Sequence, residues 1–318
     1  MKMRKIVCSF MISVVCFMTA ISGVSATSYD TSKINAAYSK VVEYYKNNNN
    51  LNNADKILAV ESLGLEAESN QFDTSSANLS STSLSKKIVT EVLLGVDPTK
   101  DKETLESQID ENGNVEGSWG ASSDVWTLYA LYVTSSEKTN LIANKLNDEL
   151  AASSVCGYEW GGTYYADYDT TGWVIEGLAV VNKEKYATTI NKAIDYIKNN
   201  TTMTTTGWIT ADNVDTQSQV LEGMFAYDTN ALLNDSYTVH PVDCLLNTQL
   251  SDGSFPSGYN AEYTTAEVAK TLGTYKNGSV IIKAKKAYDK MMNPEQPDNT
   301  KPAQPTDTKK DSQSTNKV

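Results

Sequence analysis

Four stretches of this chain carry polar and aromatic side chains spaced by four and then three residues: Ser122, Trp126, Tyr129; Asp169, Trp173, Glu176; Asp215, Gln219, Glu222; and Tyr263, Glu267, Lys270. On a helix that spacing puts each set on one face. Five carboxylates beside two tryptophans suit a ligand held by hydrogen bonds, ring stacking or cation–π contact, such as a glycan, a cation or a peptide. They do not suit a hydrocarbon, which would strip water from the carboxylates at large cost. His240 is the only histidine, so imidazole chemistry has a single candidate. His240, Asp243 and Cys244 offer three zinc-ligand types within five residues, but a cluster at a helix start reads more simply as a cap and a buried thiol, and no metal is expected. Asp110 to Glu116 has oxygens at alternate positions like the opening of a calcium loop. It lacks the later bidentate glutamate, which leaves an Asn-Gly turn.

The elements that must position these residues form a repeat. A Gly/aromatic turn (Gly117 to Trp119, Gly157 to Trp160, Gly207-Trp208, Gly253 to Phe255) is followed by one of the four patterned helices at a period of about 47 residues. Second helices fall between them, at Lys138 to Ala152, Lys183 to Asn199, Val242 to Gln249 and Val280 to Met292. Upstream, Ser32 to Lys46, Ala54 to Ala67, Leu84 to Leu94 and Asp101 to Ile109 show the same three-and-four apolar spacing. The class is therefore all-α, with about six helical hairpins that can bury their apolar faces only against one another. The apolar column, Leu128 and Leu131, Ile175 and Leu178, Leu221 and Met224, Ala269 and Leu272, must pack on the second helices. That sends the polar column toward a central funnel.

The segment NTQLSDGSF, with Gln249, Gly253 and Phe255, resembles the Gln-x3-Gly-x-aromatic repeat of squalene cyclases and protein prenyltransferases. LSKKIVTEVLLGVDPTK, residues 84 to 100, is similar to secreted prenyltransferase-like domains of Gram-positive surface proteins, whose relatives include cobalamin carriers. The resemblance covers roughly residues 50 to 292 and implies an α/α-toroid of the terpenoid cyclase type. It also invites comparison of ADYDTTGW with the Asp-x-Asp-Asp acid motif of class II cyclases. Asp167 and Asp169 match, but Thr170 stands where the third aspartate belongs. Asp169-Thr170 recurs as Asp215-Thr216, which favours helix capping over a catalytic acid needed once. Thr264-x-x-Glu267 likewise reads as a capping box.

Lys2, Arg4 and Lys5, an uncharged stretch and Val24-Ser25-Ala26 read as a secretory leader over residues 1–26. Its removal takes three cations and moves the net charge from −12 to −15, which excludes nucleic acid as a partner. Residues 27–293 form the helical domain. Residues 294–318, Pro-, Thr- and Lys-rich, form a linker or tail. Cys156 and Cys244 allow at most one disulfide. The expectation is a secreted or wall-associated binding module without cofactor, not membrane-spanning after cleavage, whose extracellular ligand is a glycan, a corrinoid, a cationic small molecule or a peptide. The alternative is an enzyme on the same scaffold, using Asp169 and Asp167 as acids or two carboxylates on polysaccharide. The expected binding residues are Trp126, Tyr164, Tyr165, Tyr168, Trp173, Glu176, Gln219, Glu222, Tyr259, Tyr263 and Glu267.

Overall fold

The computed structural model describes residues 29–68, 79–205, 207–209 and 213–293. The leader, its cleavage after Ala26 and the tail from Pro294 lie outside the described residues. Among these the chain is all-α, with eleven helices and one two-stranded hairpin. The helices are α1 (Thr31–Asn47), α2 (Ala54–Ser62), α3 (Ser81–Leu93), α4 (Thr99–Ser107), α5 (Ala121–Val133), α6 (Thr139–Ser153), α7 (Tyr168–Asn200), α8 (Val214–Asn234), α9 (Pro241–Leu246), α10 (Ala261–Asn277) and α11 (Val280–Met292). No helix of the described residues is long and apolar enough to cross a membrane.

Local chemistry sets many of the boundaries. Asp30, Asn53, Ser80, Asp167, His240, Asn260 and Ser279 each accept a backbone N–H of the first turn that follows them. Two helices are in fact pairs. Asn182 and Asp228 leave helical geometry inside α7 and α8, and their side chains accept the N–H groups of Lys185 and Ala231. Each break is thus a new N-cap, which the periodicity at Asp228 does not reveal. The helix expected to reach Ala67 stops at Ser62, where Gly64 takes φ +73° and turns the chain. The stretch from Gly157 to Trp160, expected as a turn, is the first strand of a hairpin, β1 (Gly157–Trp160) with β2 (Thr163–Ala166), in which Tyr158 faces Tyr165 across the strands. Positive-φ Gly161 and Gly162 make its two-residue turn.

Packing runs in a closed cycle: α2 on α3, α3 on α5, α5 on α7, α7 on α8, α8 on α10, and α10 back on α2. The remaining helices pack on members of this cycle, and α11 touches α2, α3, α5 and α10. Backbones in the cycle approach too closely for side chains. A Cβ on Gly172 would sit 2.4 Å from the Gln219 carbonyl oxygen, one on Gly223 would sit 2.3 Å from that of Gly172, and one on Gly273 would sit 2.5 Å from that of Ser62. The apolar column is buried throughout.

The Gln249-Gly253-Phe255 motif is a clamp. The Gln249 amide donates to the Ala37 and Gly253 carbonyls, fixing the turn on α1, and Phe255 is fully buried. The Phe255 N–H donates to Thr265, as the Cys156 N–H donates to Thr171, and the two threonines hold the same repeat position. Cys156 and Cys244 are free, buried thiols, and Cys244 donates to the Thr204 carbonyl.

Gly172→Ala and Gly223→Ala should each cost about 1–3 kcal/mol in urea denaturation, because backbone must move to admit the methyl group. Gly258→Ala, which meets no atom within 4 Å, should change stability by less than about 0.5 kcal/mol. Equal tolerance at all three would contradict the packing.

Candidate functional site

The polar column is one spatial cluster, and repeat positions about 47 residues apart meet as layers. In the upper layer Trp126 stands edge-on to Trp173 with centroids 5.8 Å apart, and Gln219 Nε2 donates to Glu267 Oε2 at 3.1 Å and lies 3.3 Å from the Tyr263 hydroxyl. In the lower layer Tyr129 lies 3.0 Å from Glu176, and Lys270 Nζ lies 3.9 Å from Glu222 and 2.9 Å from Glu267 of the layer above. Because like positions meet like positions, α5, the first half of α7, the first half of α8 and α10 run in parallel with their starts at one end.

The centre is shut off from bulk solvent. Glu176, Glu222 and Lys270 of the lower layer and Glu267 above them are each at most 3% exposed, and one ammonium serves Glu222 and Glu267 while Glu176 lies in its field. Burial pushes the Glu176 carboxyl up and the Glu222 carboxyl well up, away from ionisation. Burial works to lower Lys270, but Glu267 and Glu222 outweigh it and hold the ammonium above its usual range. Hydrogen bonding at Tyr129 agrees with a neutral Glu176. The single Tyr129 proton faces two acceptors, the Trp173 carbonyl at 2.8 Å and Glu176 Oε2 at 3.0 Å. A protonated Oε2 donating to Tyr129, with Tyr129 donating to Trp173, satisfies all three groups. Ser279, the N-cap of α11, donates to Glu176 Oε1 at 2.6 Å. Buried oxygens remain without a hydrogen-bond partner among the described residues: Gln219 Oε1, Glu222 Oε2 and Glu267 Oε1, together with the indole nitrogen of Trp173.

Above these layers lie the starts of the helices. Asp215 accepts the Tyr259 hydroxyl at 2.5 Å, while Tyr259 stays 68% exposed and neighbours Tyr263 at 6.2 Å between centroids. The Asp169 carboxyl is pushed up to about 6 by burial, with Asp167 and Asp215 adding to it. Beside Tyr263, the starts of α2 and α10 enclose a cavity of about 80 Å³ lined also by Asp55, Lys56 and Glu262. Lys86, bonded to Asp55 at 2.8 Å, lies 4.5 Å above the Trp126 ring, and Lys270 lies 5.4 Å from it.

Of the residues expected from sequence, the structure brings together Trp126, Trp173, Glu176, Gln219, Glu222, Tyr263 and Glu267, and joins Tyr259 to them through Asp215. The expected open funnel is filled at their level, since all but Tyr259, Tyr263 and Trp173 are buried. Tyr164, Tyr165 and Tyr168 are not brought in. The hairpin holds Tyr165 stacked on Tyr158, ties the Tyr164 hydroxyl to the Val155 carbonyl, and leaves Tyr164 and Tyr168 within electrostatic reach of Tyr196 on the second half of α7. The capping assignments also change. Asp167 caps α7, through Thr170 N and Oγ1, whereas Asp169 and Asp215 sit inside the first turns. Asn260 caps α10, so Thr264 and Glu267 are interior residues rather than a capping box. His240 caps α9, Asp243 takes Tyr29 and Lys33, and Cys244 faces Thr204, so the three point to separate partners. Asp110 is consumed by the N–H groups of Asn112 and Asn114 in the turn at Gly113.

Sequence reasoning did not assign Lys86, Asp55 or Ser279, because α2, α3 and α11 lack the turn signature that aligns the other repeats. It also passed over Trp119. The turn aromatics Trp208 and Phe255 are fully buried, but Trp119 is 87% exposed at the start of α5.

Lys270→Met should destabilise the fold by about 3 kcal/mol at pH 7, by leaving carboxylates buried without their ammonium, and by less at pH 5 as protons replace it. In the native protein, Glu176, Glu222, Asp169 and Glu91, the last pushed up to about 7 by burial and Asp101, hold protons more tightly folded than unfolded. Their contribution therefore falls as pH rises from the ordinary carboxyl range to about 7. Burial lowers His240, which acts in the opposite sense below about 6.5. Hydrogen bonds lower Asp97, Asp110 and Asp252, whose contribution is lost only below about pH 4. Urea denaturation should show maximal stability near pH 5 and about 2 kcal/mol less at pH 7.5. Stability rising steadily to pH 7.5 would contradict the buried-acid assignment.

No protein-family model, no curated protein and no solved structure matches this chain.

Proposed function

We propose that this chain is an exported, non-catalytic binding module built as an α/α-toroid, which captures an extracellular ligand at the mouth formed by the starts of α5, α7, α8 and α10. The closed packing order of α2, α3, α5, α7, α8 and α10 supports the toroid reading. The observation that carries the function is unspent recognition capacity at one end of the molecule. Exposed Trp119 and Tyr259, partly exposed Trp173 and Tyr263, and unpartnered polar atoms on Trp173, Gln219 and Glu267 occur there together. Rings of this kind give large contact area at small entropy cost, and buried unpaired polar atoms reward a ligand that pairs them.

One observation favours an enzyme instead. Asp169, with its carboxyl pushed up to about 6, keeps its proton to a higher pH than an ordinary aspartate, as suits an acid catalyst. Asp167, its partner in the incomplete acid motif, is occupied by capping Thr170.

The test is a calorimetric screen of the full chain against neutral oligosaccharides, a corrinoid and organic cations, followed by substitution in any hit. Tyr259→Ala and Trp173→Ala should weaken binding at least tenfold. Tyr259→Ala should leave the melting temperature within about 2 °C, because its ring is mostly in solvent. Tyr165→Ala, on the hairpin, should bind normally. Binding that survives both mouth substitutions contradicts the reading. Turnover of squalene, a prenyl diphosphate or a polysaccharide that is lost in Asp169→Asn replaces it with the enzyme.

A further inference from the structure

The chemistry of the mouth restricts its ligand further, on the assumption that the mouth is the binding site. Three aspartates gather there, Asp167 and Asp169 at the start of α7 and Asp215 on α8, and none has a lysine or arginine within salt-bridge distance among the described residues. Among the described residues Asp167 is spent on Thr170, the Asp169 carboxyl faces the Thr216 hydroxyl and the buried Asp215 carboxyl accepts the Tyr259 hydroxyl, so Asp169 and Asp215 keep carboxylate oxygens for a further donor. The acidic groups at the starts of α2 and α10 are paired instead, Asp55 with Lys86 and Glu262 with Lys56.

A second, independent feature lies directly beneath. Gly172 packs on the Gln219 backbone, so Trp173 and Gln219 stand at one level, four residues below Asp169 and Asp215 on their helices. At that level Gln219 Oε1 and Glu267 Oε1, on side chains no more than 1% exposed, accept no hydrogen bond, and Gln219 reaches the Tyr263 hydroxyl that borders the mouth. The unused groups are predominantly acceptors, and they ask for a donor-rich partner.

The aromatic rings point the same way. Trp126 has two ammonium groups of the chain itself over its ring, Lys86 at 4.5 Å and Lys270 at 5.4 Å. Trp173, its equivalent in the next repeat, is more exposed and has no such cation among the described residues, although it stands edge-on to Trp126. A ring face beside uncompensated carboxylates is the arrangement that holds organic cations.

We propose that the mouth binds an organic cation, an ammonium or guanidinium group seated between Asp169 and Asp215 and against the rings of Trp173 and Tyr259. A neutral glycan could use the same rings, but it would leave the aspartates unneutralised. The groups facing Asp169 are Asp167 on its own helix start, Asp215 and Thr216 on α8, and Tyr259 before α10. None carries a positive charge, so a bound cation is the group that favours the ionised Asp169, and binding at about pH 6 and below displaces a proton.

Benzylammonium serves as the cationic probe, with benzoate and fully N-acetylated chitotriose as anionic and neutral comparators, titrated calorimetrically into the full chain at low salt. The cation should bind at least tenfold more tightly than either comparator and weaken as salt is raised. Between pH 7 and pH 5 its affinity should fall about tenfold, the loss expected when a group titrating near 6 must be ionised to bind. Asp169→Asn should weaken binding at least fivefold and remove that pH dependence. Asp215→Asn serves as a second variant, and the pH and salt dependence of the native protein need no variant at all. If chitotriose binds, Trp173→Ala abolishes it and the cation does not bind, the cation inference fails while the binding mouth stands. If none of the three binds, both fail. Cation binding unchanged in both aspartate variants and flat from pH 5 to 7 overturns the placement at Asp169 and Asp215.

Discussion

Among the described residues Lys270 is the one lysine inside the polar column, and the arrangement around it depends on where its ammonium can reach. It lies on α10, within 2.9 Å of Glu267 on the same helix and 3.9 Å of Glu222 on α8, and over the ring of Trp126 on α5. Three helices of the packing cycle thus converge on one group. The charges still do not balance, because Glu176 shares the same buried layer. Water-excluded carboxylates in excess of cations settle by taking up protons. A proton on Glu176 lets Tyr129, Trp173 and Ser279 be satisfied together, which links α5, α7 and the start of α11 to the same centre.

This centre exists because the surrounding backbones are close. Gly172, Gly223 and Gly273 bring α7, α8, α10 and α2 into main-chain contact, so polar side chains that project inward meet one another instead of solvent. The polar column consequently divides by depth. Its lower members, Tyr129, Glu176, Glu222 and Lys270, are structural and hold the cycle in register. Of its upper members Trp126, Gln219 and Glu267 are buried and Trp173 is partly exposed, as is Asp169 one turn above it, and Trp173, Gln219 and Glu267 keep hydrogen-bonding capacity that packing does not use.

Much of this is legible in the sequence where the physics is periodic. The spacing of Trp126 and Tyr129, Trp173 and Glu176, Gln219 and Glu222, and Glu267 and Lys270 identifies the face that gathers, and the recurrence at about 47 residues identifies the layers in which the side chains meet. Depth is not legible, because it is set by how closely helices approach, and a glycine such as Gly172 does not announce which backbone lies 2.4 Å away. Capping is only half legible. Asp167 and Asp169 are both good caps by residue type, and the choice of Asp167 depends on where the hairpin releases the chain. The hairpin itself escapes notice because Thr163 to Ala166 shows no alternation of apolar and polar residues. Tyr164 and Tyr165, expected among the binding residues, follow it away from the site.

The centre's most direct test is a carbon-13 NMR titration of the side-chain carboxyl groups in glutamate-labelled protein. At least one glutamate carboxyl should keep its protonated chemical shift at pH 7, and that resonance should disappear in Glu222→Gln or in Glu176→Gln. If every glutamate carboxyl titrates in the ordinary range near pH 4 to 5, the centre is wet and ionised, and the division of the polar column into a buried core and a binding mouth is contradicted.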